Sequence, residues 1–250
     1  TDTFNSLQDV VMNADVEIRN LGKKSQKGYS VSVSLLDAQG SKISEKTAAL
    51  SDIAKGGYGN ARVELPVSKP ELWSAEKPNL YTVHIELKDQ DGNTVEATYA
   101  QHGFRKVELR GKHVYINDTK VLFKGVNRHD THPVLGKAVD LESMMTDVFM
   151  FKQNNINTLR TSHYPNDTKL YALCDHYGIY VMDEANIECH GNFGISNMEP
   201  WAPAFIDRME RMIRRDRNHS SVVFWSMGNE AGVGKNFYMT RDAAKKLDTW

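Results

Sequence analysis

The feature that most constrains this chain is a change of hydrophobic period near Lys106. Before it, apolar and polar residues alternate; after it, short apolar runs are separated by stretches of helical spacing. A chain that switches period in this way is expected to build two different architectures in series.

In the first part Tyr29, Val31, Val33 and Leu35 point one way while Ser30, Ser32 and Ser34 point the other. Val63, Leu65 and Val67 repeat the pattern, as do Tyr81, Val83, Ile85 and Leu87. Turn signals fall at Ala38-Gln39-Gly40, Gly56-Gly57 and Asp91-Gly92, the last predicting a hairpin into residues 94–100. About seven short strands within residues 1–105 predict an antiparallel β-sandwich of immunoglobulin type. No cluster of titratable groups falls in it, so it reads as a scaffold.

From residue 106 a short hairpin is predicted, pairing 107–109 with 114–116 and turning at Asn117-Asp118. Then come a strand at 121–126 and a helix capped by Asp140, with Leu141, Met144, Met145, Val148 and Phe149 on its stripe. A strand at 156–160 precedes a helix over 167–177 that ends at Gly178. A strand at 179–182 runs into Asp183-Glu184, a helix covers about 203–217, the run Val222 to Trp225 reads as a strand buried on both faces, and a helix begins near Asn236. That makes four βα units. A closed (β/α)8 barrel needs eight and about 250 residues to itself. Because a free half-barrel leaves parallel edges unpaired, residues 106–250 are expected to be half of a TIM barrel, excerpted from a longer chain.

Composition narrows the partners. A net charge of −1 and a pI near 6.7 give no reason to expect nucleic acid or an anionic membrane. No apolar run is long enough to span a bilayer, and Cys174 and Cys189 suggest no disulfide framework, so the compartment stays open.

Polar groups gather where the four strands end: 127–133 with Asn127, Arg128, His129 and His132; 160–165 with Arg160 and His163; 183–191 with Asp183, Glu184, Glu188 and His190; then Asn229-Glu230. Singly, each has an ordinary reading as a loop histidine, a structural arginine or a helix cap. Together, strand ends on one barrel face converge on one pocket. Glu188 and His190 suit a divalent metal without specifying one, and the inventory suits a hydroxyl-rich ligand on which Trp201 or Trp225 could stack.

Phe123-Lys124-Gly125-Val126-Asn127-Arg128-His129, Ser162-His163-Tyr164-Pro165, Asp183-Glu184-Ala185-Asn186-Ile187-Glu188 and Trp225-Ser226-Met227-Gly228-Asn229-Glu230 together resemble glycoside hydrolase family 2, and within it the large bacterial β-galactosidases. Leu72 to Tyr81 and Gly103-Phe104-Arg105 resemble motifs of the immunoglobulin-like domain before the barrel in that family. The resemblance implies a retaining glycosidase acting on terminal β-D-galactosides, homo-oligomeric in its full-length form. It implies Glu230 as general acid/base, Asn229 on the sugar 2-hydroxyl, His129 and His163 on the galactosyl group, and Glu188, His190 and Glu230 as Mg²⁺ ligands. Arg160 and Asp183 complete the expected substrate-binding set, with Asp183 and Glu184 holding the site together. The resemblance further implies that residues 106–250 are the N-terminal half of the barrel; the family's nucleophile belongs to a later strand, so this stretch alone is expected to be inactive. Cys189 stands where the family more usually has Thr, and reads as a small buried residue. A β-glucuronidase or β-mannosidase of the same family and a non-catalytic carbohydrate-binding half-barrel are the alternatives.

Overall fold

The structure is a computed structural model that describes residues 2–248. These divide into two compact units, one running up to Leu72 together with Asn79–Lys106, the other comprising Trp73–Pro78 and the described residues from Val107 onward.

The first unit is a seven-stranded antiparallel sandwich. One sheet has the order β1 (Asp2–Ser6), β2 (Asp9–Arg19), β5 (Tyr58–Ser68); the other has the order β4 (Lys42–Ala49), β3 (Ser30–Leu36), β6 (Tyr81–Lys88), β7 (Thr94–His102). Strand alternation sends Val31, Val33 and Leu35 inward against Val63, Leu65 and Val67 of the opposing sheet, closed by Tyr81 and Phe104. The β6–β7 hairpin turns at Asp89–Asn93, as the Asp91-Gly92 signal predicts.

The second unit opens with β8 (Val107–Arg110), β9 (His113–Ile116) and β10 (Thr119–Lys120). The β8–β9 pair closes at Gly111-Lys112, not at Asn117-Asp118. The Asn117-Asp118 turn joins β9 to β10 instead, and both residues take positive φ, as a tight hairpin turn requires.

Four parallel strands follow in the order β11 (Gly125–Arg128), β12 (Thr158–Thr161), β13 (Tyr180–Glu184), β14 (Val222–Ser226). Helices α1 (Leu141–Gln153), α2 (Thr168–Tyr177), α3 (Ala202–Asp216) and α4 (Lys235–Leu247) complete the four βα units that begin a TIM barrel. The side chains of Asp140 and Asp167 cap α1 and α2, and Gly178 ends α2 in the left-handed region, where a Cβ would meet the Ala75 carbonyl oxygen at 2.3 Å. Among the described residues no helix is long and apolar enough to cross a membrane.

Three further expectations need correction. The first barrel strand starts at Gly125 because the Asn157 carboxamide takes the preceding backbone, accepting from Lys124 N at 2.8 Å and donating to Leu122 O at 2.9 Å, where a strand ladder would otherwise run. In α1 the buried residues are Met144, Val148 and Phe151, while Leu141 and Phe149 are exposed. In β14 only Val222 and Val223 are fully buried, and Phe224 and Trp225 keep partial exposure.

Candidate functional site at the strand ends

The parallel register brings the C-terminal ends of the four strands side by side, and the period of two decides which side chain enters the site. Arg160 of β12 and Glu184 of β13 point to the same face. Arg160 donates through Nε to Glu184 Oε2 at 2.7 Å and through Nη2 to Oε1 at 3.1 Å. Its Nη2 also donates to Asn229 Oδ1 at 2.9 Å. Glu184, with no exposed surface, further contacts His163 Nδ1 at 2.7 Å and accepts from Ser226 Oγ at 2.7 Å. Burial pushes the Glu184 carboxyl up, but Arg160, Ser226 and His163 outweigh it and hold the group below the ordinary glutamate value. With both oxygens so engaged, Glu184 is an anchor and not a free nucleophile.

His129, from the β11 end, packs edge-on against His163 with ring centroids 5.5 Å apart, and its Nδ1 lies 3.4 Å from the Tyr164 hydroxyl. Lys137 donates to that hydroxyl at 2.7 Å. Arg128 turns inward to Asp130, Asp147 and Asn166, tying β11 to α1 and the start of α2. His132 accepts from the backbone N–H groups of Val134 and Leu135, the ordinary work of a loop histidine.

The loops after β13 and β14 meet at a backbone bridge between Glu188 and Asn229. Asn229 N donates to Ile187 O at 2.9 Å and its Nδ2 to Glu188 Oε1 at 3.2 Å. Gly228 makes this approach feasible: its φ is +137°, and a Cβ would stand 2.2 Å from Ile187 O. Glu230 follows in the left-handed region and contacts His190 Nδ1 through Oε2, with both side chains exposed. A cavity of about 410 Å³, lined by Asn229, Glu230, Val233, Phe237, Tyr238 and Arg241 among others, adjoins it.

Thus Arg160, His163, His129 and Asn229 come together, whereas Glu230 follows Asn229 in the chain and its side chain meets His190. Asp183 does not join them. It has no exposed surface and faces away from the site, with Oδ1 accepting from Tyr171 of α2, so direct substrate contact is closed to it. Adjacent residues on a strand face opposite sides, and Glu184 occupies the inward position. Glu184, Ser226 and Lys137 are members of the constellation that the sequence left without a substrate-site role; strand parity marks the first two, while nothing local marks Lys137.

The expected magnesium ligands fit in kind, two carboxylates and an imidazole being suited to a hard cation. In arrangement only His190 and Glu230 meet, because Glu188 is turned to Asn229, and no three such groups gather as a metal site among the described residues. Trp201 is exposed, whereas Trp225 is half-buried with its indole N–H donating to Asp248 at 3.0 Å. Cys189 is partly buried, with its thiol directed at the Ala231 carbonyl.

Comparison with known proteins gives this geometry a context. The family profile described as "Glycosyl hydrolases family 2, TIM barrel domain" matches residues 107–250, and that described as "Glycosyl hydrolases family 2" matches residues 1–105. A β-galactosidase of Psychromonas ingrahamii is 38% identical, over 97% of this chain and 25% of its own length. A family 2 glycosyl hydrolase structure from Bacteroides cellulosilyticus superposes with a TM-score of 0.85 at 24% identity, covering all of this chain and 34% of that one. A Ruminococcus gnavus β-glucuronidase superposes at 0.79 with 26% identity, covering 96% and 39%. The chain spans about a quarter of the length of the curated relatives it matches.

Proposed function

The chain belongs to glycoside hydrolase family 2, and on that premise we propose that it is a portion of a retaining β-galactosidase. In this reading residues 1–105 are the immunoglobulin-like scaffold, residues 106–250 are the N-terminal half of the catalytic barrel, and the nucleophile lies outside the chain. One observation carries it. Asn229 is gripped by Arg160 on one side and Glu188 on the other, immediately before the exposed carboxyl of Glu230 at the strand ends.

Retaining hydrolysis uses one carboxyl to protonate the leaving oxygen and a second, about 5–5.5 Å away, to form the glycosyl-enzyme. Glu230 is the proton donor in this proposal and then the base that activates water. Asn229, fixed through both ends of its carboxamide, presents its amide to the sugar 2-hydroxyl. His129, His163 and Arg160 bind the sugar hydroxyls, and the buried Glu184 sets the orientation of the last two. Glu188, His190 and Glu230 are the groups that would hold Mg²⁺. A bound divalent cation would offset the charge of the two carboxylates. The whole enzyme is proposed to be a homo-oligomer acting on β-galactosides.

The test uses the whole protein. Glu230→Gln keeps the shape of the site and removes its proton donor, with an expected loss of about 10²–10⁴ in rate on lactose. An aryl galactoside with a good leaving group loses much less in the first step, and azide restores its turnover. Equal losses on both substrates would remove the acid/base role from Glu230. The 1–250 stretch alone is expected to hydrolyse neither. For the metal, Mg²⁺ titration followed calorimetrically should show binding that Glu188→Gln weakens; identical isotherms would remove the ligand assignment.

One observation favours a second reading, β-glucuronidase. The Lys137 ammonium is held on the Tyr164 hydroxyl beside His129, where a substrate carboxylate could meet it. The ratio of kcat/KM on aryl glucuronides to that on aryl galactosides decides between the two.

A further inference from the structure

Asp183 lies between the sheet and its helices with no exposed surface, and Asp216 of α3 is equally buried. The groups facing Asp183 are Thr161 on β12, Tyr171 on α2, and Asp216 with Arg215 on α3, while β14 pairs with its backbone through Trp225. Its Oδ1 accepts from the Tyr171 hydroxyl at 2.7 Å and from Thr161 Oγ1 at 3.2 Å. Its Oδ2 is buried with no hydrogen-bond partner among the described residues, and the Asp216 carboxyl faces the Asp183 side chain. Arg215 grips Asp216 through Nε and Nη2, both at 2.7 Å. Nearby, His219 Nδ1 contacts Asp175 Oδ2 at 2.6 Å, and Asp175 Oδ1 accepts from Ser221 N at 2.7 Å. Arg215 Nη2 also donates to Asn166 O at 3.0 Å and to the Tyr171 hydroxyl at 3.4 Å, so among the described groups facing the pair one guanidinium serves two buried carboxyls, and of the two it contacts Asp216 directly.

An ionised carboxylate in this place suffers twice, from lost hydration and from a like charge beside it. A single proton removes both penalties and supplies the donor that the orphaned oxygen lacks. We propose that Asp183 and Asp216 share one proton in the folded protein, carried on Asp183 Oδ2 and donated to Asp216, so that a carboxyl–carboxylate hydrogen bond latches β13 to α3. Burial first, and the Asp216 charge second, hold the Asp183 carboxyl well above the ordinary carboxylate range. Folding then takes up a proton. The latch contributes fully below the unfolded aspartate value of about 3.9, and its contribution is lost as pH rises through the raised folded value. The inference stands on the packing of β13, α2 and α3 and is independent of the proposed activity.

Infrared spectra of the full chain with ¹³C-labelled aspartate test it directly. The expected result at neutral pH is a protonated-carboxyl band that unfolding abolishes and that Asp183→Asn lacks. Denaturant unfolding across pH gives the second readout. The carboxamide introduced by Asp183→Asn donates to Asp216 without titrating, so above pH 4 the wild-type folding constant should fall by up to tenfold per pH unit relative to the variant. Absence of the band in folded wild type overturns the proposal, as do parallel pH dependences. Should D183N fail to fold, the wild-type band and its loss on unfolding decide alone.

Discussion

Arg160 and Asn229 stand 69 residues apart in the chain, yet the guanidinium donates to the carboxamide at 2.9 Å while holding both oxygens of Glu184. The arginine thus links a fully buried carboxylate to the residue that precedes Glu230. Arg160→Ala strands the Glu184 charge away from solvent, and breaking a buried pair from one side costs about 3–5 kcal/mol. Arg160→Lys keeps a charge but loses the two-pronged grip, and its loss should fall between wild type and alanine. Urea unfolding of the three proteins checks the order.

The same carboxylate makes an acid-side prediction. Its folded value lies below the ordinary glutamate one, so its contribution is present above the unfolded value of about 4.3 and lost as pH falls through the folded value. Glu184→Gln should flatten the acid limb of stability against pH, and unchanged slopes would contradict the assignment. This is opposite in sign to the effect expected of Asp183, its neighbour in the chain.

Trp73 is fully buried, edge-on to Tyr180 with centroids 5.8 Å apart, and its indole N–H donates to Asp175 O at 2.8 Å. Trp73→Phe preserves an aromatic ring but leaves that carbonyl unsatisfied, an expected loss of about 1–3 kcal/mol. Trp73→Ala adds a cavity and should cost about 3–5 kcal/mol. Thermal and denaturant unfolding followed by circular dichroism distinguishes the two.

How far the sequence could be read depends on the element. Alternation in β3, β5 and β6 has one solution, because Val31, Val33 and Leu35 can share a face only as a strand. In β4 the sequence Lys-Ile-Ser-Glu-Lys-Thr-Ala-Ala has no apolar alternation, since this edge strand leaves most of its side chains in solvent. Helix boundaries were legible at the Asp140 cap and at Gly178, while Asp167, read as the first residue of α2, is its N-cap. The buried face of α1 was not, because seven apolar residues surround it and several stripes are possible. In the site, the residue types at the strand ends were informative, and the direction of each was the harder part. Asp183 and Glu184 look alike as a pair, and only the pleat of β13 separates an inward anchor from a buried latch.

The face that α1 buries supplies a direct test. Phe151 is 8% exposed and Phe149 39%, the latter packing on Tyr177 with centroids 5.0 Å apart. Phe151→Ala should destabilise by about 3–5 kcal/mol, whereas Phe149→Ala should lose about 0.5–1.5 kcal/mol, the worth of its ring pair. Equal losses would mean that the helix is rotated relative to the sheet.

The contact of Gly228 with the Ile187 carbonyl has a bearing on how such a site can be re-engineered. Two chain segments that touch backbone to backbone, with no side chain between them to absorb a misfit, have no independent freedom of length or path. The 185–190 and 227–231 segments therefore form one exchangeable part. A graft that replaces either alone inherits a collision or a gap beneath Asn229, while a graft that carries both moves Glu188, His190, Asn229 and Glu230 as a single cassette.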